Sequence, residues 1–147
     1  MTRRIRTGIA IAVLLYAPAA MAQSGQTFKG RLAPVPLDAA MQATVSGSGQ
    51  ATATLTGKAL SVEATFEGLK SPATVARLHI GRRGVRGPAA FDLTVTHDTH
   101  GTVTGTVQLS DVQLAALKNG SFYVQIHSEK APDGNLWGWI LPQEPKR

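Results

Sequence analysis

The chain of 147 residues contains no cysteine. That single absence removes disulfide staples, thiolate metal ligands, thiol catalysis and redox switching together. Packing and backbone hydrogen bonds must hold the domain. Charge and aromatic surface are also sparse, with Asp, Glu, Lys and Arg at 16% and aromatics at 5%. The formal net charge of +6 includes Arg3, Arg4 and Arg6; without them 12 Lys and Arg face 9 Asp and Glu, a net +3. Past that point the one cationic cluster is Arg82, Arg83 and Arg86. No nucleic-acid-binding module surrounds it, so nucleic acid is not an expected partner.

What is present begins with an address. Arg3, Arg4 and Arg6 form a basic region, Ile9 to Tyr16 an apolar one, and Ala20-Met21-Ala22 a small-x-small cleavage pattern. The apolar run falls short of the roughly 20 residues that span a bilayer. Residues 1–22 are therefore predicted to be a signal peptide and residues 23–147 one mature domain, periplasmic or secreted, with no transmembrane anchor after cleavage.

The mature chain alternates with period two. Phe28 to Leu32 suggests a first strand, stopped by Pro34 and Pro36, and Val45 to Gly49 a turn or loose strand edge. Ala51, Ala53 and Leu55 alternate with threonines; after Gly57-Lys58, Leu60, Val62, Ala64 and Phe66 alternate with Ser61, Glu63, Thr65 and Glu67. The two runs predict a hairpin. Further strands are marked by Ala76, Leu78 and Ile80, by Phe91, Leu93 and Val95, and by Val103, Val107 and Leu109. One helix is predicted over Ser110–Lys118, opened by a Ser110/Gln113 capping box, with an apolar face of Val112, Leu114, Ala115 and Leu117. Gly120 suits its C-terminal cap.

The last strands carry the unusual chemistry. Phe122, Val124 and Ile126 alternate with Tyr123, Gln125 and His127, and Leu136, Gly138 and Ile140 with Trp137 and Trp139. Pro132-Asp133-Gly134-Asn135 is predicted as the turn between them. If the aliphatic residues face the core, the opposite face carries two Trp, a Tyr and a His. The expected fold is all-β: an antiparallel β-sandwich or Greek-key barrel with one short helix. Leu60, Val62, Ala64, Phe66, Phe91, Leu93, Val95, Phe122, Val124 and Ile126 should share its core.

Four stretches together resemble the CHRD domain, a module named after chordin and also found in bacterial exported proteins. They are Arg77-Leu78-His79-Ile80-Gly81, Gly84-Val85-Arg86-Gly87-Pro88, Leu117 through Ser128, and Pro132-Asp133-Gly134. The resemblance covers most of residues 27–141 and implies an immunoglobulin-like or barrel-like β fold outside the cytoplasm, without an established activity. The chain departs from the family twice. Arg77 stands where a first His of His-x-His is common, and Gly134-Asn135-Leu136-Trp137-Gly138 replaces Gly-Glu-x-Arg-Gly.

These residues define a candidate ligand or partner surface: Arg77, His79, Tyr123, Gln125, His127, Trp137 and Trp139. Placing them together assumes that residues 74–80, 122–128 and 136–141 share a sheet, which would also let Arg77 stack on an aromatic ring. His79 and His127, one residue's reach apart, would then be candidate ligands for copper or zinc. The His followed by a glycine-rich loop is similar to copper–zinc superoxide dismutases. Such sites use three or more protein ligands, so a pair stitching two strands by hydrogen bonds is the preferred reading. The Gly81–Gly87 loop lacks the Gly-Lys-Ser/Thr ending and following helix of a phosphate cradle. Ser128 points away from His127, and no Gly-x-Ser-x-Gly elbow occurs. The favoured function is a non-catalytic binding module of the bacterial cell envelope, its partner an envelope protein or small ligand. The rivals are a metal-dependent redox protein and a self-assembling structural protein.

Overall fold

The computed structural model describes residues 25–34 and 38–144; the predicted signal peptide lies outside them. Among the described residues, nine strands and one α-helix follow in order: β1 Gln26–Pro34, β2 Ser48–Thr56, β3 Ala59–Glu67, β4 Ala73–Ile80, β5 Ala89–Val95, β6 Gly101–Gln108, α1 Asp111–Lys118, β7 Phe122–Ser128, β8 Ala131–Trp139 and β9 Leu141–Pro142. A single 3-10 turn, Met41–Ala43, precedes β2. All pairings are antiparallel, in the order β2-β3-β6-β5-β4-β7-β8-β1. β1 pairs with β2 over Gln26–Leu32 and with β8 at Ala33–Pro34, which closes the sheet into an eight-stranded barrel; β9 is an extra strand on β1. Of the two expected architectures, the barrel is the one built. The neighbours β3-β6-β5-β4 follow the Greek-key order.

Alternation fills the barrel. Phe28, Leu32, Ala53, Leu60, Val62, Ala64, Phe66, Ala76, Leu78, Val103, Phe122, Val124, Ile126, Leu136 and Ile140 form one buried cluster. Of the predicted core only Phe91 is half-buried, packed at the margin of the cluster on the same strand face as Leu93 and Val95. Its strand separates from β6: they pair only at Thr94↔Thr104 and Val95↔Val103, so the wall is looser beside Phe91.

The helix has its capping box, with Ser110 Oγ accepting from Gln113 N and Gln113 Oε1 from Ser110 N at 2.9 Å. Its apolar face is rotated from the predicted one. Leu117 is buried and Leu114 and Ala116 pack on the core, while Val112 is 81% exposed and Ala115 faces solvent. Gly120, at φ 70°, ends it as expected.

The last hairpin also departs from expectation. The chain reverses at Glu129-Lys130, between the paired Ser128 and Ala131, not at Pro132–Asn135. Since Ile126 pairs with Leu136, Pro132–Asn135 bow out opposite His127 alone. Burying both Ser128 and Ala131 places the reversal two residues before the proline. The turn-forming residues build a bulge instead, where a missing proline N–H disrupts no ladder.

Candidate functional site

The register of β4, β7 and β8 brings the predicted residues onto the outer face of one wall. His79, Tyr123 and Trp139 form one cross-strand row, and Arg77, Gln125 and Trp137 the next. His127 lies beyond them, opposite Val75. The face turns away from the barrel core, yet Tyr123, Gln125 and Trp137 are 1%, 2% and 3% exposed. Something covers them.

The cover has two parts. The first is the loop from Gly81 to Gly87. Tyr123 OH donates to Gly87 O and accepts from Gly87 N, both at 3.1 Å, and His79 Nδ1 meets the same carbonyl at 2.9 Å. Trp139 Nε1 donates to Gly81 O at 3.1 Å, so both ends of the loop are pinned by this face. At the neck a Cβ on Gly87 would overlap the Ile80 carbonyl, which only glycine avoids.

The second part is the β8 bulge. Pro132 O and Asp133 O turn back over the face and accept from His127 Nδ1 at 2.7 Å and Gln125 Nε2 at 2.9 Å. Gly134, at φ 129°, sits where a Cβ would strike the Gln125 amide and the Trp137 ring. Between these parts His79, at 4.9 Å and 20°, and Trp137, at 5.6 Å and 17°, stack on Tyr123, and Trp139 tilts against it at 4.7 Å and 38°. Offset stacks of this kind each add roughly 0.5–1.5 kcal/mol beyond area burial.

The cation on this stack is not the one expected. Arg77 turns to the neighbouring strand, its Nε 2.8 Å from Asp92 Oδ1. Arg86 lies over Trp137, Cζ 4.6 Å from the ring centroid, and donates to Asp133 O at 3.0 Å. Arg86, Gly87 and Asp133 are not among the residues expected at the site; the loop's glycines are expected to serve turns and its arginines to be solvated or to bind a surface anion. The signal that pointed to them was Tyr123, whose hydroxyl, if covered, requires a partner.

The histidines occupy the two ends of this arrangement. Strand register sets them four positions apart along the sheet, His79 opposite Tyr123 and His127 opposite Val75, about 13 Å at the usual strand rise. A carbonyl can only accept, so each Nδ1 carries the proton, and His79 Nε2 and His127 Nε2 are buried without a protein partner, as is Trp137 Nε1. Burial holds the His79 pKa below its ordinary value; the Gly87 hydrogen bond opposes this, and the charges of His127, Arg77 and Arg86 add to the lowering. Among the described residues no group of three or more His, Asp or Glu gathers as metal ligands. The two imidazoles, expected one residue's reach apart, are separated along the strands by this register, and nothing in the arrangement supports a shared copper or zinc ion.

The CHRD domain family model matches residues 33–140, a span that contains the stacked face, the loop and the bulge. The chain belongs to the CHRD domain family. No curated protein and no solved structure matches it. In this CHRD domain the Trp137 indole forms the floor on which Arg86 rests. The other walls differ in kind. A depression of about 410 Å³, lined by Arg31, Ser48, Gly49, Gln50, Thr65, Phe66 and Glu67, lies on the opposite side and shares none of these residues.

Proposed function

We propose that this CHRD domain is a non-catalytic binding module of the bacterial cell envelope, exported by residues 1–22, and that it meets its partner with the Gly81–Gly87 loop. The observation that carries this reading is the roofed face. Ordering a glycine-rich loop costs about 1–2 kcal/mol per residue in backbone entropy. Here Tyr123, His79 and Trp139 offset that cost with hydrogen bonds that fix the loop's ends. The outcome is an exposed set of arginines on a loop whose two ends are held, which favours recognition over a freely solvated turn.

Reactivity is supported less well. Both imidazoles spend Nδ1 on backbone carbonyls and bury Nε2. Ser128 is fully buried, and its Oγ accepts from Asn135 Nδ2 at 2.8 Å, not from His127. Amide exchange of the purified chain, with and without envelope membranes, tests the reading. Protection gained over residues 81–88 and 131–137 is the expected result; protection confined to residues 48–67 and 101–108 would overturn it.

A further inference from the structure

The arginines of the loop are unbalanced. From Gly81 to Ala90 there is no acidic residue, and among the described residues no carboxylate lies within 4.0 Å of Arg82, Arg83 or Arg86. Arg77, on the strand below, is compensated by Asp92. The tip between the arginines is apolar: Val85 is 56% exposed, one of two exposed large hydrophobic side chains among the described residues, the other being Val112 on α1. The Val85 N–H bonds to Arg82 O at 2.8 Å and Gly84 adopts φ 81°, a tight turn whose residues 82–86 are all exposed. Depressions of about 410, 320 and 280 Å³ all lie on the far wall of β1, β2, β3 and β6. None of these depressions includes a residue of the loop, whose arginines and Val85 are exposed.

We infer that the Arg82–Arg86 tip docks on an anionic lipid bilayer, its guanidinium groups on lipid phosphates and Val85 at the boundary of the acyl chains. The inference rests on the loop being the binding surface. Three cations flanking one apolar side chain match an interface that is negative outside and apolar a few ångströms deeper. An acidic protein would leave Val85 without that second layer. The aromatic stack underneath makes the tip rigid: Arg86 is held between Trp137 and Asp133 O, so little side-chain freedom is lost on contact.

Sedimentation of the purified chain with vesicles tests this. Vesicles of equal parts phosphatidylglycerol and phosphatidylcholine are expected to bind it, and phosphatidylcholine alone is not. Each arginine at such a surface contributes about fivefold to partitioning. Arg82→Ser with Arg83→Ser, both outside the stack, should lower binding about twenty-five-fold, while near-molar salt screens it away. Val85→Ser should lower it about threefold, as for partial loss of one apolar contact. Equal binding to neutral vesicles overturns the inference, and so does no binding to either. Soluble polyphosphate separates the two levels of the argument. If it binds through Arg82 and Arg83 while vesicles do not, the bilayer is wrong and the loop remains the binding surface. Binding of either probe that ignores the double substitution removes both.

Discussion

Two walls of the same barrel share one core and differ in everything outside it. The outer face of β2, β3 and β6 carries Thr52, Thr54, Ser61, Glu63, Thr65, Thr102, Thr104 and Thr106, mostly exposed and paired directly across strands. Ser61 Oγ and Thr106 Oγ1 meet at 3.1 Å, and the β2–β3 connection is only Gly57-Lys58. The outer face of β4, β7 and β8 carries His, Tyr, Gln and Trp, and a loop and a bulge close over it. The difference is one of hydration. Short hydroxyl side chains are content in water on a strand face. A Tyr–Trp stack is not, and it recruits backbone from elsewhere to form a second, smaller layer.

The comparison breaks first at Trp137. Though it points out of the barrel, Trp137→Ala should cost about 3–5 kcal/mol in urea denaturation, matching Phe66→Ala inside the barrel. A loss near that of an ordinary surface residue would mean that the roof is not a packed layer. Tyr123→Phe removes the hydroxyl that holds Gly87 by two hydrogen bonds. A loss of about 1–2 kcal/mol is expected, with faster amide exchange confined to residues 81–88; uniform acceleration would argue against a separate loop layer.

A smaller effect is the pH dependence of the roof. Burial lowers the folded pKa of His79 below 6.5, so the unfolded chain takes up its proton first as pH falls. The His79 contribution to stability is full above about pH 6.5, and is lost as pH drops through the lowered folded value. Protonation would also put an N–H on the buried, unpartnered Nε2. His79→Gln should flatten this part of the stability profile, and parallel profiles for the two proteins would show that His79 does not hold the loop. The smallest effect belongs to the other wall. Thr104→Ala, on an exposed position, should stay within about 0.5 kcal/mol; a larger loss would show that the hydroxyl face also has structure to protect.

Legibility in the sequence follows the same division. The threonine wall is local, since Leu60-Ser61-Val62-Glu63 states in four letters which side chain faces which way. The aromatic face was equally legible as alternation. The turn was not: Pro132-Asp133-Gly134-Asn135 has the chemistry of a reversal, and only the packing of Ser128 and Ala131 moves the reversal to Glu129-Lys130. The partner of the rings was misassigned for the same reason. Arg77 was the arginine adjacent in the strand pattern, but Asp92 on β5 claims it, while Arg86 arrives from a loop whose path no local rule describes.

The sequence alone determined the period of most strands, the capped helix, most of the predicted core, the membership of one outer face and the family. Each depends on interactions within a few residues or on patterns that repeat along the chain. Tertiary structure alone decided that the sheet closes, that Pro132–Asn135 bulge, that Arg86 takes the place expected of Arg77, and that His79 and His127 stay four positions apart. Those outcomes hang on register between strands distant in sequence. A two-residue slip preserves the alternation and moves every side chain to a different neighbour.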